Sequence, residues 1–272
     1  ARPMRFTDLL ATAERAPADW ILEVPEDWRQ GRAVFGGLQT ALCLMAMRDV
    51  VDAAVPLRTL QTTFLAPPST ARVRATARVL RRGKSATHVE ARLLDGADGA
   101  GSGDEATLAI VIGVFGAARA SVVEVTPLVP QVSESKRTPF RFVPGVTPTF
   151  TQHFDATWLS GALPFSGSPN TPASVQLGMH GEHESSEALI VALADFIPPL
   201  ALSMLRTPAP GSSLTWMLEL LTDTLTGFAM QGLRVDAELL AGRDGYTSQS
   251  CFIWGPSGQP IALSRQAMVV FG

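Results

Sequence analysis

The chain alternates between apolar helical runs and short stretches in which apolar and polar residues take turns. Residues 38–51 contain no proline and are rich in Ala, Leu and Met, which predicts a helix. Strand candidates follow. Residues 57–65 are rich in β-formers and end before Pro67-Pro68. Residues 71–80 alternate and stop at Arg82-Gly83-Lys84, and residues 86–94 alternate again before a Gly/Asp loop over 95–104. Residues 106–115 form a near-continuous apolar strand. The second half repeats the order. An apolar helical region is expected over 185–205, with strands over 212–221, 228–240, 246–254 and 260–271.

A helix followed by four strands therefore occurs twice. The Gly/Asp-type turns between the strands indicate antiparallel hairpins. Between the halves, residues 121–148 contain Pro127, Pro130, Pro139, Pro144 and Pro148, a density that blocks regular ladders and reads as an extended link. The division expected is an N-terminal repeat over 1–120, the Pro-rich linker over 121–148 and a C-terminal repeat over 149–272. A helix that is apolar on nearly every side fits one wrapped by its own curled sheet, an α+β arrangement. Pairing of such sheets side by side makes a homodimer or higher homo-oligomer the expected assembly.

Within the second apolar region, Asp195 is the only charged residue between Glu187 and Arg206. A lone carboxylate is costly to bury unless something holds it, and that something is often chemistry. The run is about as long as a membrane span. It carries Asp195 and the pair Pro198-Pro199 at its middle, so burial in protein is the better reading. Because Pro favours the first turn of a helix, Asp195 is expected near the N-terminus of a helix starting at Pro198.

Composition narrows the function. With 46% hydrophobic and 17% charged residues, a sizeable core is expected and disorder is not. The net charge of −3 and the lack of a dense basic stripe argue against a nucleic-acid partner. The strongest cationic cluster, Arg78, Arg81, Arg82 and Lys84, is read as a solvated strand end. Cys43 and Cys251 lie in apolar stretches and read as buried thiols of a reducing compartment. The four histidines lack metal-site spacing, so no metal is expected. His180 and His183, with Glu182 and Glu184, read as a solvated loop. His153, Asp155 and Trp158 suggest a second polar cluster without a mechanism. The first residues hold no apolar signal core, so a cytoplasmic protein that does not enter a membrane is expected.

Three segments carry a family resemblance. Val34-Phe35-Gly36-Gly37 opens the first helix, Ala192-Leu-Ala-Asp195-Phe-Ile-Pro198-Pro199 lies in the second half, and Leu263-Ser-Arg-Gln266 lies on the last strand. Together, along a duplicated chain, they resemble the acyl-CoA thioesterase II-like family of double hotdogs. The resemblance implies a double hotdog fold over nearly all of the chain, an acyl-CoA or related acyl thioester as substrate, and hydrolysis without a cofactor. It further implies an acid, a hydroxyl and an amide that hold a water: Asp195, Ser213 and Gln266. The family often has an Asp two residues after the hydroxyl and a His further along; here those places read Thr215 and Glu219, and adjacent Ser212 leaves the register of the hydroxyl open. A non-catalytic acyl-thioester-binding protein is the alternative.

For the oxyanion, the amides of Gly36, Gly37 or Leu38 are the expected donors, unobstructed by side chains at the glycines. On the repeat, Phe35-Gly36 is expected to occupy the place of Asp195 in the other half. Phe35, Leu38, Phe196, Ile197 and Trp216 are expected to line the acyl pocket.

Overall fold

A computed structural model describes residues 4–96, 106–132 and 137–272. The expected loop over 95–104 lies mostly outside the described residues. In chain order the elements are α1 (Phe6–Ala11), β1 (Glu14–Ala16), β2 (Asp19–Glu23), β3 (Arg29–Gln30), β4 (Ala33–Val34) and α2 (Gly36–Arg48). Next come β5 (Leu57–Phe64), β6 (Arg72–Arg82), β7 (Thr87–Asp95), β8 (Thr107–Phe115) and β9 (Thr138–Pro139). The second half continues with β10 (Phe154–Ser160), β11 (Ala173–Met179), α3 (Glu187–Ala194), β12 (Gly211–Leu220), β13 (Leu233–Arg243), β14 (Tyr246–Trp254) and β15 (Pro260–Val270).

The repeat is plain in the sheet. All strands but β3 and β4 join one 13-stranded antiparallel sheet, ordered β1-β2-β6-β7-β8-β5-β12-β15-β14-β13-β11-β10-β9. In each half the strand after the helix pairs with the last strand of that half. The halves meet where β5 lies against β12, with Leu60 opposite Leu218 and Gln61 opposite Met217. The side-by-side pairing on which an oligomer was expected is thus made inside one chain. The sheet's outer ends are the three-residue β1 and the two-residue β9, and such short edges offer little template for further strands.

Both helices lie in the core that the sheet encloses. In α2 every residue but Met45 and Arg48 is buried, and in α3 every residue but Glu187. They run antiparallel against each other. The C-terminal end of α2 meets the N-terminal end of α3 through an Arg48–Glu187 ion pair at 2.5 Å, while the N-terminus of α2 meets the end of α3. The hotdog arrangement expected from the sequence is therefore present in duplicate, and the eight main strands match the predicted ones to within a few residues. The β13–β14 turn has Asp244 and Gly245 both at positive φ (54° and 81°), as a tight hairpin requires.

One sequence expectation fails, and two parts of the fold were not foreseen. The helix read over 185–205 is only Glu187–Ala194, because Pro198-Pro199 supplies no N–H to continue it; after the break only a 3-10 turn, Leu200–Met204, follows. The lead before residue 34 holds α1 and β2, whose Phe6, Leu9, Trp20 and Leu22 are buried. The hairpin β10–β11 was also missed: it lies in a Pro- and Gly-rich region, and its pairing with β9 and β13 is purely tertiary. Cys43 and Cys251 are buried thiols, and burial pushes both pKa values up to about 12.

Candidate active site

Asp195 closes α3 as its C-cap residue, at φ −97° and ψ 4°. The expectation of a helix N-terminus after it was wrong, since no regular α-helix begins at Pro198. Alone, the end of α3 would disfavour a negative charge. The compensating N-terminus comes from the other half. The Gly37 backbone N–H at the start of α2 donates to the Asp195 carboxylate, and Gln266 Nε2 donates to Asp195 Oδ1 at 2.5 Å.

The glycine pair makes this approach possible. A Cβ on Gly36 would fall 2.6 Å from Asp195 Oδ2, and one on Gly37 would fall 2.5 Å from the Ala192 carbonyl oxygen. The repeat had placed Phe35-Gly36 in the position of Asp195, and this is also corrected. Gly36 begins its helix whereas Asp195 ends its own. The residue that ends α2 is Asp49, which accepts from the Trp20 indole and the Ala18 N–H.

Burial raises the Asp195 pKa to about 7, against the opposing pull of the Gln266 and Gly37 hydrogen bonds. The side chain keeps some exposure to a cleft, so water reaches the carboxyl while apolar walls withhold bulk solvation. A carboxylate of this kind is ionised near neutral pH yet basic enough to take a proton.

The cleft has a volume of about 1020 Å³. Its apolar wall includes Phe140, Phe150, Trp158, Phe165 and Phe196, and Asp195 and Ser213 also line it. Ser213 is half-buried and sits opposite Met268 on β15, on the inward face that also carries Gln266. Ser212 is exposed and Leu214 forms a bulge that resets the register. Thr215 and Glu219 are exposed on the outward face, the side of the sheet away from Asp195.

Not every expected residue reaches the cleft. Phe196 and Ile197 do, but Phe35, Gly36, Gly37, Leu38 and Trp216 are buried and do not line it. Phe35 stacks on Phe150, and the Trp216 indole donates to Ser264 Oγ. The amides expected as oxyanion donors are mostly committed: Gly37 to Asp195, and Leu38 to the Phe35 carbonyl. The Gly36 N–H has no backbone acceptor.

The expected polar cluster of His153, Asp155 and Trp158 is taken apart by the fold. Asp155 is exposed, Trp158 lines the cleft, and His153 is buried in a stack on Trp28 with rings 4.1 Å apart. Burial lowers the His153 pKa, partly offset by Asp27 at 3.3 Å. Glu182, read as solvated, is instead buried and accepts from the Thr7 N–H and hydroxyl. None of Arg78, Arg81, Arg82 and Lys84 lines the cleft.

Sequence reasoning missed Gln249. It is buried opposite Gln266; its Oε1 accepts from Leu200 N–H at 2.9 Å and its Nε2 donates to the Pro198 carbonyl at 3.4 Å. It thereby holds the turn that follows Asp195. A glutamine on the inward face of a predicted strand was the available signal.

The fold is that of a duplicated hotdog. Family models described as the acyl-CoA thioesterase N-terminal domain and C-terminal domain match residues 24–116 and 128–270. The chain belongs to this acyl-CoA thioesterase family and is a thioester hydrolase. Among solved structures it is similar to a hotdog-fold protein of unknown function from Alicyclobacillus acidocaldarius, at 18% identity, 99% coverage of each chain and a TM-score of 0.83. It is also similar to a tesB protein from Mycobacterium avium subs paratuberculosis, at 12% identity, 99% and 100% coverage and a TM-score of 0.72. The acyl-CoA thioesterase II TesB2 from Mycobacterium marinum aligns at 14% identity, 97% and 96% coverage and a TM-score of 0.70. At these identities the likeness is one of fold. No curated protein matches the chain in sequence. Among the described residues, no helix is long and apolar enough to cross a membrane.

Proposed function

We propose that the chain hydrolyses an acyl-CoA, or a related acyl thioester, by direct attack of a water that Asp195 deprotonates. Asp195 takes one proton while the water oxygen bonds to the thioester carbon. Collapse of the tetrahedral oxyanion breaks the C–S bond, and the same carboxyl returns the proton to the departing thiolate. Gln266 holds Asp195 in place, and the Ser213 hydroxyl orients the water from the adjacent strand. The positive end of α2 faces the reacting centre, with the Gly36 N–H as its uncommitted donor to the developing oxyanion.

The observation that carries this reading is the Asp195 carboxyl itself: open to the cleft, held by Gln266 and Gly37, and shifted to about 7 by burial. The alternative of a non-catalytic acyl-thioester-binding protein drew on the residues at Thr215 and Glu219. Both face outward, so they leave the proposed triad intact.

Free-thiol release from a panel of acyl-CoA esters tests the reading. Wild type should release thiol from at least one chain length, and Asp195→Asn should lower kcat by roughly 100-fold or more, the usual scale for a general base. No release by wild type from any ester would favour the binding reading. Equal release by both proteins would remove Asp195 from the mechanism.

A further inference from the structure

Arg29 lines the same cleft from the two-residue strand β3. Its side chain is only 17% exposed, and its buried Nε has no hydrogen-bond partner. The nearest carboxylate oxygen, Glu26 Oε1, lies 3.4 Å away on a side chain that is 87% exposed. A guanidinium has five N–H donors and keeps its charge, so a mostly buried one whose Nε lacks a hydrogen-bond acceptor is costly. Trp158 Nε1, also on the cleft, is a second buried donor without a partner.

Arg29 has an ion pair with the exposed Glu26, but no neighbouring carboxylate hydrogen-bonds either buried donor. Glu26 and Asp27 are the carboxylates nearest Arg29 in sequence; Glu26 points to solvent and Asp27 faces His153 Nε2 at 3.3 Å. Arg141 adds an exposed second cation to the lining. Around them the lining is largely aromatic and aliphatic. A plain alkyl chain would fill the apolar space and leave both donors unpaired. An oxyanion would give Arg29 the planar, two-oxygen partner that a guanidinium fits best.

We propose that Arg29 selects acyl thioesters whose acyl group carries a terminal carboxylate, with the apolar part of the acyl chain lying along the aromatic wall. This rests on the thioesterase reading above. A CoA phosphate presents the same anionic oxygen chemistry, and the burial of the Arg29 side chain, only 17% exposed, favours the smaller carboxylate of the acyl end.

The test compares wild type, Arg29→Gln and Arg29→Lys on matched esters: hexanoyl-CoA, adipoyl-CoA and the corresponding N-acetylcysteamine thioesters, which lack phosphate. Thermal melts confirm that each variant is folded. Arg29→Gln should lower kcat/KM for both adipoyl esters at least about 30-fold more than for the hexanoyl esters, the scale of losing one partner of a desolvated charge pair. Arg29→Lys should recover part of that difference.

A loss on both CoA esters but neither cysteamine ester would overturn the carboxylate assignment in favour of a phosphate. An equal loss on all four esters, or none, would overturn any role in anion recognition. Calorimetric binding of the stable thioethers S-hexyl-CoA and S-(5-carboxypentyl)-CoA reads the same preference without turnover. If wild type cleaves no ester, the thioesterase reading fails by itself, and this binding difference still decides the role of Arg29.

Discussion

At the residue scale, the energetics of Asp195 couple stability to catalysis. The native carboxyl holds its proton up to about pH 7, whereas the unfolded one releases it near its ordinary value of 3.8. Between those values the native state binds more protons than the unfolded state. Stability therefore falls as pH rises across that window and levels off above it. Asp195→Asn removes the slope. Thermal melts should show the variant more stable than wild type above about pH 7, with the gap closing below about pH 4. Activity must run the other way, because the base works ionised: kcat/KM should rise through an apparent pKa near 7.

Gln266 refines that expectation. Its hydrogen bond pulls the Asp195 pKa down, so Gln266→Leu should move the acidic limb of the pH–rate profile to higher pH while lowering kcat. An unchanged profile would show that the amide does not hold the working carboxylate.

At the element scale, the close approach of α2 and α3 depends on two missing side chains. Gly37→Ala would press a methyl against the Ala192 carbonyl and the Phe35 ring, both within 2.6 Å. The helices must separate or shift, and about 1–3 kcal/mol of stability should be lost, as for other overpacked cores. Chemical denaturation measures that loss. Gly36→Ala instead meets Asp195 Oδ2, so its main effect should fall on turnover rather than on the melting temperature.

The elements also show where the sequence was legible. The strands 71–80 and 86–94 were readable because their buried residues alternate with less buried ones, which writes a period of two into the residues. The helix at 185–205 was overdrawn because apolar composition says that a segment is buried but not where its hydrogen bonds stop. Pro198-Pro199 was the stop signal, and it was read as the start of a helix instead. The hairpin β10–β11 has weaker patterning because it lies among prolines and glycines near the end of the sheet, where pairing is decided by β13.

At the scale of the whole molecule, the site belongs to neither half alone. Asp195, Ser213 and Gln266 come from the second half, and the helix N-terminus that supports the carboxylate comes from the first. The shared sheet and the packing of α2 on α3 make the halves one structure. Calorimetry should therefore give a single transition whose van't Hoff and calorimetric enthalpies agree. Residues 121–272 expressed alone should show no thioesterase activity; two separate transitions would contradict this coupling.

By itself the sequence determined the duplicated helix-plus-sheet plan and the residues that cannot be ordinary, above all an isolated Asp195 and a glycine pair before a helix. These are local signals: periodicity, a charge without neighbours, and missing side chains. Only the tertiary structure decided that, besides Gln266, a helix N-terminus supports the carboxylate. That partner lies more than 150 residues away and reaches Asp195 only because antiparallel helices place the start of one beside the end of the other. Long-range packing of this kind leaves no pattern along the chain, so the opposing helix N-terminus, the cleft and the half-satisfied Arg29 on its wall became visible only in three dimensions.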